Sequence, residues 1–202
     1  MRAAMRLASD RSGWGSLGMA DPNPWDVIPA PLGDPIEDAV YQSVGMALTG
    51  WEFVEEALAE IFSLLVGDDN LYRNRSPAVL AYGAIIGSGS RVEMIEAAAK
   101  GYFVTSPNEG LQSRLKALLT RAGRFGARRN EIAHGRLQLT GELGWFLYPA
   151  FYNSKKNPAA GTPTYRYSAK EIHIYRERFE ELYDDLSEFV SDLRASIMAR
   201  KT

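Results

Sequence analysis

The chain has 202 residues, 46% of them apolar and 24% charged, which is enough to bury one substantial core and points to a single domain. It has no cysteine, which excludes disulfides, thiolate nucleophiles and cysteine-ligated zinc and fits a reducing compartment. Its two histidines, His134 and His173, stand in no HxxxH or HExxH spacing, so neither a protein-bound metal nor another cofactor is expected.

Residues 1–33 are rich in Gly, Pro, Ser and Asp and read as a poorly ordered leader. No continuous apolar run follows the early arginines, as a secretory signal requires. No later stretch reaches the roughly 18 apolar residues of a membrane span, so a cytoplasmic protein without membrane contact is expected. Met19, which opens "MADPNPWDV", offers a second translation start beside Met1.

Residues 34–202 read as one helical bundle domain. Asp34-Pro35-Ile36-Glu37, Ser106-Pro107-Asn108-Glu109 and Ser168-Ala169-Lys170-Glu171 each place a capping side chain three residues before a glutamate. Ser76-Pro77 and Ser90-Arg91-Val92-Glu93 add two more starts. Five helices are predicted, over about 34–66, 76–87, 90–103, 106–139 and 168–200. In the first, Val40, Val44, Ala47, Trp51, Val54, Leu58, Ile61 and Leu65 recur every three or four residues. Ile172, Tyr175, Phe179, Leu182, Leu186, Phe189, Leu193 and Ile197 do so in the last. These stripes are core.

Residues 140–167 interrupt the pattern as an inserted aromatic arm. "WFLYPAFY" (145–152) and "TYRYS" (164–168) are extended in character and predict a β-hairpin or paired arm, with Pro149 at an edge. Trp145, Tyr148, Tyr152, Tyr165 and Tyr167 either cap the bundle end or offer stacking faces for bases. The expected fold is all-α: an up-and-down helical bundle of about five helices, with a small β-hairpin or extended arm before the last helix.

Charge is uneven. Residues 34–66 hold seven acids (Asp34, Glu37, Asp38, Glu52, Glu55, Glu56, Glu60) and no Lys or Arg. Residues 110–139 hold seven bases (Arg114, Lys116, Arg121, Arg124, Arg128, Arg129, Arg136) and one acid, Glu131. Either these two helices attract each other across the bundle, or the basic one holds phosphates. With a net charge of −2, the chain is no general nucleic-acid coat.

The basic helix contains "RRNEIAHG", residues 128–135. At 100° per residue Leu111, Leu115, Leu118, Ala122 and Phe125 fall within about 40° of one direction, and Arg129 falls on the same line as Leu111. A permanent charge on an apolar stripe needs an acid, a carbonyl cluster, a bound anion or another subunit. Within the chain, a first-helix glutamate such as Glu55 is the candidate. His134 lies roughly 140° around the helix from Arg129, so the two diverge on one helix and converge only in a two-fold homodimer. Asn130, four residues before His134, is placed to orient the imidazole, and Gly135 leaves that ring unobstructed on one side.

Arg129-Asn130-Glu131-Ile132-Ala133-His134 resembles the R-x4–6-H signature of the HEPN superfamily in its RN-x3-H form, late in a long helix. The resemblance covers residues 129–134; the helical pattern of 34–200 is compatible with it. It implies a metal-independent endoribonuclease, a toxin or defence effector, active as a dimer with the motif at the interface. It also implies RNA as substrate and, as partner, an antitoxin such as a nucleotidyltransferase-like protein. A catalytically silent HEPN-like dimer that binds RNA, nucleotide or protein is the alternative, and a purely structural dimer a third.

The residue types define the chemistry such a site performs. The His134 imidazole takes the proton from a ribose 2′-OH or gives one to the departing 5′-oxygen. Arg129 stabilises charge on the phosphoryl group, and Arg128 and Arg136 grip flanking phosphates. The competing assignment is structural: His134 bonded to helix-end carbonyls and Arg129 in an ion pair. His173, in the first turn of the last helix, reads as a solvated or packing residue.

Overall fold

The computed structural model describes residues 31–68, 76–148 and 166–201. Five helices occur in chain order: α1 (Glu37–Leu65), α2 (Pro77–Ala84), α3 (Ser88–Thr105), α4 (Glu109–Ala133) and α5 (Ala169–Lys201). Between α4 and α5 lie β1 (Arg136–Leu139), a 3-10 turn (Gly141–Leu143) and β2 (Trp145–Tyr148). No helix among the described residues is long and apolar enough to cross a membrane.

The apolar stripes form the core. Val40, Ala47, Trp51, Val54, Leu58, Ile61 and Leu65 of α1 are buried, as are Ile172, Tyr175, Phe179, Leu182, Leu186, Phe189 and Leu193 of α5. These two helices share the most extensive contact in the molecule. Trp51 meets the Phe179 ring edge-on at 5.1 Å and Phe125 of α4 approaches the same ring at 5.9 Å, so three helices join at one aromatic node. Helix α3 packs on α4 and α1, and α2 on α1.

The fourth helix ends six residues before its predicted limit of 139. Arg136-Leu137-Gln138-Leu139 alternates polar and apolar, and it pairs antiparallel with β2 in the register Arg136↔Tyr148 to Leu139↔Trp145. The hairpin is therefore 136–139 with 145–148, not 145–152 with 164–168. Tyr167 does reach β2, as a lone antiparallel bridge to Leu147, while Asp34 bridges Trp145. Residues 149–165 of the arm, and residues 1–30 of the leader, lie outside the described residues.

Two capping expectations change. Asp34 does not cap α1, whose N-cap is Ile36 without a side-chain bond; its Oδ2 accepts the backbone N–H of Ala169 at the start of α5, at 2.7 Å. The cap of α4 is Asn108, whose Oδ1 accepts from the Leu111 N–H, rather than Ser106. Helix α3 begins at Ser88 after Gly87, with no side-chain cap at Ser90. The Ser76 cap of α2 and the reciprocal Ser168–Glu171 box of α5 form as predicted.

The hairpin is stitched to the rest by glycines. Gly33 N–H donates to the Leu143 carbonyl at 2.7 Å, and a β-carbon at Gly33 would collide with the Trp145 carbonyl oxygen and, at 2.7 Å, with the Phe146 ring. Gly144 has φ +96°, and a β-carbon there would lie 2.7 Å from the Asp34 carbonyl oxygen.

Candidate functional site at the end of the fourth helix

The buried face of α4 begins as the stripe predicts, with Leu115, Leu118, Leu119, Ala122 and Phe125. In its last turns the buried residues are Arg128, Glu131 and Ile132, a face rotated by about 100°. The hairpin and the start of α5 cover that side of the helix end. Arg128 therefore takes the interior position that the straight stripe assigns to Arg129.

Arg128 is 6% exposed and Glu131 2%, and they form an ion pair at 2.7 Å. The Tyr167 hydroxyl donates to the same Glu131 oxygen at 2.7 Å. Tyr175 meets the Tyr167 ring edge-on at 5.6 Å. Burial raises both phenols, pushing Tyr175 up to about 12, with the Arg128 guanidinium pulling the other way. Arg128, expected to grip a flanking phosphate, is thus part of a buried polar network. Glu131 and Tyr167 had no assigned role; the only available signal was that Glu131 is the one acid of a basic helix, three residues after an arginine.

Arg129 is half-buried, with its guanidinium 3.8 Å from Glu52 and 3.2 Å from Asn130 Oδ1, and its Nε has no hydrogen-bond partner. Glu55, its expected partner, is already engaged. It accepts from Arg91 at 2.8 Å, the Tyr82 hydroxyl at 2.9 Å and Trp51 Nε1 at 3.0 Å.

His134 is the exposed C-cap of α4, and its backbone N–H donates to the Asn130 carbonyl at 3.0 Å. Asn130 thus contacts Arg129 through its side chain and His134 through its main chain. Arg136 is exposed on β1, with its guanidinium 3.4 Å from Gln138 Oε1. Gly135 has a different cause from the one expected: a β-carbon there would lie 2.5–2.9 Å from the Leu147 Cγ and both Cδ atoms. Its absence lets Leu147 close against the turn.

The basic helix is balanced mainly by α5, not α1. Arg114 pairs with Asp192 and Glu188, and Arg121 with Asp185. Acids of α1 go elsewhere: Glu60 to Arg194 at 2.6 Å and Glu55 to Arg91. Lys116, Arg124 and Arg136 stay exposed, with Arg129 half-exposed beside them. Of the aromatics offered for stacking, Tyr148 and Tyr167 are buried and Trp145 partly so, which makes them a cap on the bundle end. Tyr152 and Tyr165 lie outside the described residues.

A cavity of about 380 Å³ lined by Leu64, Tyr102 and Ile197, and another of about 360 Å³ lined by Glu56, Tyr183 and Arg194, lie away from the motif. No group of three or more His, Asp or Glu among the described residues is placed to hold a metal ion. Comparison with protein-family models, with curated proteins and with solved structures yields no match to this chain.

Proposed function

We propose that this protein is a metal-independent endoribonuclease of HEPN type, a toxin or defence effector acting as a homodimer. The observation that carries the reading is the linked set Arg129, Asn130 and His134 at an open helix end. The imidazole is exposed, the guanidinium is only loosely paired, and Asn130 ties one to the other.

The face of α4 that leads to His134 supports the homodimer. Gly123 and Ala127 are exposed and lie, with Asn130 and His134, within about 60° of one direction. A β-carbon at Gly123 would meet nothing within 4 Å, so a second α4 has room for close approach there. Around a two-fold axis on this face each subunit contributes one His134 and one Arg129. One imidazole accepts the 2′-OH proton, the other protonates the leaving 5′-oxygen, and the guanidinium groups stabilise the phosphoryl charge. Arg124 and Arg136 are the exposed cations for flanking phosphates; Arg128 shapes the helix end from inside.

Inducible expression of wild type and His134→Ala, with growth and RNA integrity compared, tests the reading. RNA fragmentation with wild type alone is expected. Intact RNA and equal growth in both would replace it with the silent dimer that binds RNA, nucleotide or an antitoxin-like protein.

A further inference from the structure

Four contacts enclose the turn that carries His134. Glu131, one turn earlier, accepts the Tyr167 hydroxyl at 2.7 Å. The Tyr167 main chain exchanges two hydrogen bonds with Leu147, each 2.9 Å. The Leu147 side chain presses on Gly135, where even one added carbon would lie 2.5 Å from Cγ. Gly135 follows His134, whose own N–H is tied to Asn130. Tyr167, Leu147, Gly135, His134 and Glu131 therefore form a closed circuit, drawn from three separate stretches of chain.

We propose that Tyr167 and Leu147 are positioning residues for His134. They hold the last turn of α4 through Glu131 and the following residue through Gly135, so the imidazole leaves a fixed backbone. This inference rests on the ribonuclease reading for its functional consequence, but not for its structural one. The distinction matters because His134 is exposed and is not itself packed into place. An ordinary exposed helix end frays, whereas catalysis needs the reacting group held within about an ångström. Neither residue touches the reacting atoms; both act through the backbone of residues 131–135.

Two perturbations reach the circuit from opposite sides. Tyr167→Phe removes only the hydroxyl that holds Glu131. Gly135→Ala inserts a carbon against Leu147, and adding Leu147→Ala removes the three atoms it strikes. The chain has only two histidines, so the imidazole region of its proton NMR spectrum holds His134 and, as internal reference, the exposed His173, which faces Glu177 at 3.4 Å.

Tyr167→Phe and Gly135→Ala are expected to shift or broaden the His134 resonances far more than those of His173. They should lower kcat for RNA cleavage by about tenfold to a hundredfold with KM little changed. The double variant Gly135→Ala/Leu147→Ala should recover both the wild-type His134 signal and most of kcat. His134 resonances unchanged in Tyr167→Phe and in Gly135→Ala would overturn the positioning role, whatever the wild type does to RNA. A wild type that cleaves no RNA, with His134 displaced in both single variants and restored in the double, would end the ribonuclease reading and keep the clamp.

Discussion

Arg128 and Arg129 are chain neighbours on opposite sides of a boundary: Arg128 is enclosed with Glu131 at 2.7 Å, while Arg129 reaches Glu52 only at 3.8 Å. Removing one member of a buried pair strands the other, at a cost of about 3–5 kcal/mol. A partly exposed pair at the longer distance contributes about 0–1 kcal/mol. Arg128→Ala should therefore lower stability severely in urea unfolding, and Arg129→Ala should leave it nearly unchanged while abolishing RNA cleavage. A large loss of stability in Arg129→Ala would make that residue structural.

The proposed chemistry specifies its products. Cleavage through the substrate's own 2′-OH should proceed in excess EDTA and leave 2′,3′-cyclic phosphate and 5′-hydroxyl ends. DNA of the same sequence should bind through its phosphates yet stay intact, and a 2′-O-methyl at the scissile ribose should block cutting there. End-group analysis that finds 5′-phosphates would sink the mechanism even if the protein is a nuclease.

Light scattering at micromolar concentration should give twice the chain mass. Ala127→Glu, on the exposed face beside Gly123, should return the monomer mass and abolish cleavage without lowering the melting temperature of the isolated fold. A wild-type monomer that cleaves RNA at full rate would remove the composite site.

The long helices were legible because α1 and α5 repeat their apolar residues over many turns, and the buried sets match those stripes almost residue for residue. The end of α4 was not. A single stripe projected along a straight axis points to Arg129, but the inward direction changes where the hairpin and Tyr167 arrive. That cover comes from residues 36 positions away, as the Tyr167 to Glu131 bond shows. "RLQL" carries two leucines that also suit a continuing helix, so nothing local stopped the prediction at 133. Asp34 fits the local pattern of a cap on α1, and only the folded arrangement brings the start of α5 to it. The motif itself was readable, since Arg129, Asn130 and His134 are local to one helix end.

Tyr82, Tyr167 and Tyr175 should dominate the alkaline limit of stability. Burial raises all three, with Glu55 adding to it at Tyr82 and Glu131 at Tyr167 and Tyr175. The folded protein holds these protons more tightly than the unfolded chain does. Their stabilising contribution is therefore complete below pH 10 and is lost as pH rises through the folded value, about 12 for Tyr175. Absorbance at about 295 nm should show the exposed phenols ionising first and these three only together with unfolding. Early ionisation of all ten tyrosines would contradict the buried network.

Asp34 meets Ala169 across 135 residues, and α1 finds its main packing partner in α5. On a ribosome the first helix therefore emerges long before the surface that shelters it. Tyr167, which steadies the His134 turn, is synthesised only shortly before that final helix. A nascent or truncated chain ending before residue 167 already contains Arg129, Asn130 and His134, yet lacks both the hydroxyl on Glu131 and the second half of the core. The catalytic sequence is translated well before the catalytic geometry exists, so the fold delays activity until the polypeptide is almost complete and free to leave the tunnel.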